Sequence, residues 1–111
     1  MIEKIVLDYL NDNLTVDAFM EKPEDPPEKY VVIEKTGSGR DNLIDTATFA
    51  LRSYAPSLHE AAELNEEVKS AMDGIISLDE VGKSKLNSDY NFTDAGEKQY
   101  RYQAVYNITY H

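Results

Sequence analysis

The stretch YRYQAVYNITY, Tyr100–Tyr110, sorts by parity. Tyr100, Tyr102, Ala104, Tyr106, Ile108 and Tyr110 fall on one side, and Arg101, Gln103, Val105, Asn107 and Thr109 on the other. A period of two belongs to a strand with one apolar face and one wetter face. TVDAFME at 15–21, LIDTATFALRSYA at 43–55 and SKLNSDYNFTD at 84–94 alternate in the same way. YVVIEK at 30–35 is β-branched and reads as a further strand. Alternation predicts a mostly antiparallel or mixed sheet covered on one face.

The cover comes from two helical patterns. Ile2, Ile5, Val6, Tyr9 and Leu10 follow i, i+3, i+4, i+7, i+8 spacing. After Pro56, Ser57 with Glu60 forms a capping box, and Leu58, Ala61, Leu64, Val68, Met72 and Ile75 make one apolar stripe. Gly74 is placed to end this helix, unless DGIISL continues it. The expectation is an α+β two-layer sandwich, with about five strands, two helices on one face and the order αβββαββ, in one domain spanning 1–111. The tyrosines are expected under the helices, with their hydroxyls at the rim. The other face is expected to show Thr46, Thr48, Arg52, Arg101, Gln103, Asn107 and Thr109 to solvent. Tyr106→Ala should then unfold the chain, whereas Arg101→Ala and Gln103→Ala should leave it folded but poor at joining.

KPEDPPEK at 22–29 is a connection, because three prolines fit neither a ladder nor a helix interior. TGSGRDN at 36–42 lacks the spacing and lysine of a phosphate loop and is expected to be a hairpin tip, with Gly37 and Gly39 at positive φ. The strand that follows would span about 40 Å, so it must project or bend at a bulge. DAGEK at 94–98 reads as the turn between the last two strands.

The net charge is −10, which opposes binding to phosphate backbones and anionic membranes. Residues 57–80 carry 7 acids and 1 base. A tyrosine stacking platform for single-stranded nucleic acid needs a positive groove. Arg101, Lys98, Lys83 and Lys85 are too few against that charge. There are no cysteines, which excludes disulfides and thiol chemistry. No secretory signal is expected at the N-terminus, so the Asn-x-Thr triplets at Asn13, Asn91 and Asn107 are not expected to carry glycans. Carboxylates abound, but none sits in a catalytic or metal-ligand pattern, and neither an enzyme activity nor a cofactor is expected.

The whole chain resembles small bacteriophage proteins of the tail-terminator, tail-completion and head-to-tail joining group, from phages and prophages of Gram-positive bacteria. The short N-terminal helix, the hairpin YVVIEKTGSGRDNLIDTATFALRSYA, the helix SLHEAAELNEEVKSAMDGI and the pair SKLNSDYNFTD and RYQAVYNITY carry the likeness. The resemblance implies a structural protein that forms a ring, commonly a hexamer, at the head-proximal end of the tail. Its partners would be further copies of itself, tail-tube protein and neck or connector proteins. DNA would at most pass through the lumen. The location would be the virion, after synthesis in the bacterial host cytoplasm. A head-completion connector and a non-viral protein-binding module are the alternatives. As assembly residues we take the tip Gly37, Ser38, Gly39, Arg40 and Asp41 up to Asn42, and Arg52, Arg101 and Gln103 of the outward face. Glu63, Glu66 and Glu67 of a neighbouring copy would pair with Arg40 and Arg52, unless those arginines pair within their own chain.

Overall fold

The computed structural model describes residues 1–94, 96 and 99–111. Among these, the elements are α1 (Ile2–Asn13), β1 (Asp17–Phe19), β2 (Tyr30–Asp41), β3 (Ile44–Ala55), α2 (Leu58–Asp73), a 3-10 turn (Ile75–Ser77), β4 (Val81–Asn91) and β5 (Tyr100–Tyr110). The order is the expected αβββαββ. Ala95, Glu97 and Lys98 of the expected 94–98 turn lie outside the described residues.

The strands form one sheet in the order β1-β2-β3-β5-β4. β1 pairs parallel to β2, and every other pair is antiparallel. Both helices lie on the same face. Their buried residues Val6, Leu10, Leu64, Val68 and Met72 share one core with Val31, Ile33, Phe49, Leu51, Ala104, Tyr106 and Ile108. The amphipathic stripes therefore do what their period requires, since each helix gains stability mainly from its buried face.

Several local expectations need correction. Ser57 caps α2, its hydroxyl accepting from the Glu60 amide at 3.2 Å and donating to the Glu60 carboxylate at 2.9 Å. Leu58, however, is exposed and outside the core stripe. Asn65 takes a buried place in that stripe and donates to Asp89 of β4 at 3.2 Å. Gly74 ends the helix at φ −91, not in the left-handed region, and the 3-10 turn continues from it. A side chain there would need Tyr9 to shift. A Cβ would lie 2.7 Å from the hydroxyl of Tyr9, which reaches across from α1 to donate to the Ala71 carbonyl at 2.6 Å.

The β2–β3 turn also differs. Gly37 and Gly39 lie within β2 and no described glycine has positive φ. Asn42 and Leu43 take the left-handed positions instead, at φ 51 and 66. Two central residues at positive φ match the twist of a tight hairpin. A bulge between Lys35 and Gly37 bends β2. β3 keeps β5 beside it as far as Asp45↔Tyr110, so the end of the hairpin is one end of the sheet and not a free ribbon. The molecule is accordingly elongated, at 44 × 25 × 24 Å.

A second bulge, between Leu86 and Ser88, breaks the parity expected for β4. Leu86 faces Tyr106 on the helix side, while Tyr90 faces Gln103 on the other. The tyrosines of β5 divide as well. Tyr106 is buried and Tyr110 packs partly against the core, whereas Tyr102 is half-buried and Tyr100 is exposed beyond the helices.

Candidate functional site

The face of the sheet away from the helices is not the solvated polar surface that the alternation suggested. At its base it carries a second, smaller core of Tyr30, Val32 and Tyr54, with Phe19 packed against it. Cross-strand register builds this cluster: Tyr30 lies opposite Tyr54, and Tyr54 opposite Arg101. Tyr30 and Tyr54 stack with ring centroids 4.7 Å apart and planes 3° from parallel. Phe19 meets Tyr30 edge-on at 6.2 Å. Aromatic pairs in these geometries contribute about 0.5–1.5 kcal/mol beyond the area they bury.

Two arginines extend the cluster across the sheet. The Arg101 guanidinium lies 4.7 Å from the Phe92 ring centre and 5.9 Å from that of Tyr54, and its Nε donates to the Phe92 carbonyl at 2.6 Å. Arg52 is 5.8 Å from the same Phe92 ring. Its Nη2 pairs with Glu34 at 2.7 Å and its Nε donates to Gln103 Oε1 at 2.8 Å. Gln103 is only 6% exposed and passes the chain on, its Nε2 donating to the Tyr90 hydroxyl at 2.5 Å. Glu34, Arg52, Gln103 and Tyr90 thus form one polar line across four strands. Among the described residues this line holds no nucleophile paired with a base.

The other end of the sheet is different in character. From Glu34 to Asp41, β2 is exposed or half-exposed throughout. β1 pairs only with Tyr30, Val31 and Val32, so among the described residues nothing pairs with the outer edge of β2 beyond Val32. At the tip Leu43 is 83% exposed and Ile44 51%. Arg40 pairs with Asp45 at 3.5 Å, an exposed pair of the weak kind.

The residues singled out from sequence therefore fall into three places. Gly37, Ser38, Gly39, Arg40 and Asp41 lie along the outer half of β2. Arg52, Arg101 and Gln103 do come together, on the open face. Glu63, Glu66 and Glu67 sit on α2, across the sheet, each with a partner in its own chain. Glu63 pairs with His59 at 3.2 Å and Glu66 with Lys69 at 2.9 Å. Glu67 accepts from the Thr15 amide at 2.7 Å and from its hydroxyl, tying the α1–β1 connection to α2. The in-chain partners of Arg40 and Arg52 are Asp45 and Glu34. The aromatic members Phe19, Tyr30, Tyr54 and Phe92, and the apolar tip Leu43–Ile44, were not among the expected site residues. The signal was present: YVVI is a continuous apolar run, and such a run belongs to a strand buried on both faces.

Perturbed titrations lie mainly on the helix side. Burial, with Asp73 nearby, pushes the Tyr106 hydroxyl up to about 12. Tyr9 is raised by burial and by Asp73. Lys69 is raised, first by its hydrogen bond to Glu66 and further by Asp89. Glu3 is lowered by hydrogen bonding to its own backbone amide and by Lys35. None of these groups forms a nucleophile–base pair. Among the described residues no group of three or more His, Asp or Glu side chains is placed to hold a metal ion, and no helix is long and apolar enough to cross a membrane. The sequence matches no family model and no curated protein.

Proposed function

We propose that this chain is a structural subunit that joins copies of itself into a ring, in the manner of the bacteriophage tail-terminator and tail-completion proteins it resembles. The observation that carries this reading is the far end of the sheet. There a long stretch of β2 has an open outer edge and finishes in two exposed aliphatic side chains. An open edge and an exposed apolar tip are both features that proteins cover or blunt when they have no use for them. The open-face cluster packs the base of the same sheet on its second face, leaving the far end as the part of β2 and β3 that is exposed.

The helix side suits the lumen of a DNA conduit. Glu63 and Glu66 are exposed on α2, in the segment 57–80 that carries 7 acids and 1 base, and like charge keeps a passing duplex from sticking. Assignment to the tail, as opposed to the neck, is tested by fractionation. In a head-minus mutant of the phage or prophage that encodes the chain, the protein is expected to sediment with tails. Recovery only with heads in a tail-minus mutant assigns it to the neck instead. Its absence from both particles refutes a virion role and leaves the protein-binding module.

A further inference from the structure

The helix side of the sheet holds a gap that packing does not close. A half-enclosed cavity of about 400 Å³ lies between the C-terminal turn of α2 and β4. Met72 and Asp73 of α2, Ile76 of the 3-10 turn, Ser84 and Leu86 of β4 and Tyr106 of β5 form its walls. Register brings the strand residues together. Leu86 lies opposite Tyr106 and Ser84 opposite Ile108, in the stretch of β4 between its two bulges, so both turn towards the helices. Ile76 and Leu86 remain exposed, which carries apolar surface out to the mouth.

Two hydroxyls on these walls have no partner. Tyr106 is only 4% exposed, yet its phenol makes no hydrogen bond to any described residue. Ser84 Oγ is buried and equally unbonded. A buried polar group without a partner carries a desolvation cost that a bound group relieves. Burial first, and Asp73 after it, hold the Tyr106 hydroxyl up at about 12, so it keeps its proton at neutral pH and has lone pairs to offer an N–H donor.

The surrounding charges choose the ligand. Lys69 also lines the cavity, but its ammonium is already held by Glu66 at 2.9 Å and Asp89 at 3.3 Å. Asp73 is exposed and pairs with no cation among the described residues. No basic residue stands in the last turn of α2, and the end of a helix is itself partly negative at its carbonyls. An anion entering here meets three carboxylates against one ammonium, whereas a cation meets Asp73 free to receive it.

We infer that this cavity is a binding site for a small primary amine, its apolar stem against Met72, Ile76 and Leu86 and its ammonium donating to the Asp73 carboxylate and the Tyr106 hydroxyl. Sites that enclose a whole small molecule begin at about 300 Å³, so a free amine fills this one better than the end of a single lysine side chain. The site stands whether or not the chain forms a ring.

Methyl NMR of the purified chain, labelled at methionine and isoleucine, tests it with hexylammonium, hexanol and hexanoate as probes. Hexylammonium should shift the Met72 and Ile76 methyl resonances and saturate with a Kd on the order of 1 mM, as expected for so small a ligand. Hexanol should bind about fivefold more weakly, the upper effect of one exposed ion pair, and hexanoate more weakly still. Asp73→Asn, at an exposed position, should abolish the preference for hexylammonium over hexanol. Tyr106→Phe keeps the ring in the core and should weaken hexylammonium by about threefold or more, the effect of one hydrogen bond. Circular dichroism confirms the fold of both variants. The peptide Gly-Lys-Gly presents the same ammonium from a backbone and should bind more weakly than hexylammonium. Equal affinity for hexylammonium and hexanol, or an unchanged preference in Asp73→Asn, overturns the ammonium site. Tighter binding of hexanoate makes Lys69 the anchor and overturns it as well, and tighter binding of Gly-Lys-Gly overturns the free amine as occupant. Met72 and Ile76 resonances that stay in place up to about 20 mM hexylammonium, far above the expected Kd, mean that water alone fills the cavity and overturn the proposal entirely.

Discussion

Gln103→Ala separates a structured open face from a solvated one. Gln103 is nearly buried, accepts from Arg52 Nε and donates to the Tyr90 hydroxyl. Truncation removes one charge-assisted hydrogen bond, of about 1.5–3 kcal/mol, and one neutral bond of about 1 kcal/mol. Water reaches the half-exposed Tyr90 and restores part of that loss, so the net destabilisation should be about 2–4 kcal/mol. A domain of this size has a total stability of about 5–15 kcal/mol, so the variant still folds. Its Tm should fall by about 8–16 °C, at roughly 4 °C per kcal/mol for a domain near 100 residues. Asn107→Ala is the control. It lies on the same strand and face and is exposed, its side chain accepting from the Thr48 hydroxyl at 3.2 Å where water can replace it, and the loss should stay within about 1 kcal/mol. A double-mutant cycle of Gln103→Ala with Arg52→Ala should give a coupling energy above about 0.5 kcal/mol. If Gln103→Ala melts with the Asn107→Ala control, or the cycle gives no coupling, the open face is solvated and the structural argument for it is wrong.

Other perturbations reach other parts of the fold. Gly74→Ala pushes a methyl against the Tyr9 hydroxyl and should destabilise by about 1–3 kcal/mol, with most of the loss recovered in the Gly74→Ala/Tyr9→Phe double variant; denaturant midpoints measure both. Tyr106 has its folded value raised to about 12 from an ordinary 10, so its contribution is full below pH 10 and is lost as pH rises from 10 towards 12; ultraviolet difference spectra should show a late phase in phenol titration, to which the raised Tyr9 also contributes, and Tyr106→Phe should reduce that phase by one phenol. Glu63→Lys with Glu66→Lys should leave the circular dichroism spectrum and Tm nearly unchanged but slow DNA delivery by assembled particles, and unchanged infectivity would count against the conduit.

The helix-side architecture was legible because two periods run through the chain without interruption. The 3.6-residue stripe of α1 and the two-residue alternation of β3 and β5 each specify one buried face, and together they give the sheet, its cover and most of the core. What was not legible depends on single-residue register. The bulge near Asn87 sends Leu86 to the helices and Tyr90 to the open face, and no parity count from sequence reveals it. Glycines drew the hairpin turn towards Gly37 and Gly39, whereas Asn42 and Leu43 make it, because asparagine also tolerates positive φ and leucine is forced to. The open-face cluster was hidden differently. Arg101 and Arg52 look like solvent residues in a one-strand pattern, and only cross-strand register places them against Phe92 and Tyr54. Of the assembly candidates, Arg52, Arg101 and Gln103 prove to be neighbours, while the α2 acids lie on the other side of the sheet.

The central claim is that copies of this chain join into a closed ring at the head-proximal end of a tail. Electron cryomicroscopy of tails from a head-minus mutant images that end directly. The account predicts a closed ring of this chain capping the tail tube, with the acidic face of α2 turned to the lumen and each copy in contact with its neighbour. Tail ends whose density is filled without this chain, or copies that touch only other proteins and never each other, would contradict it.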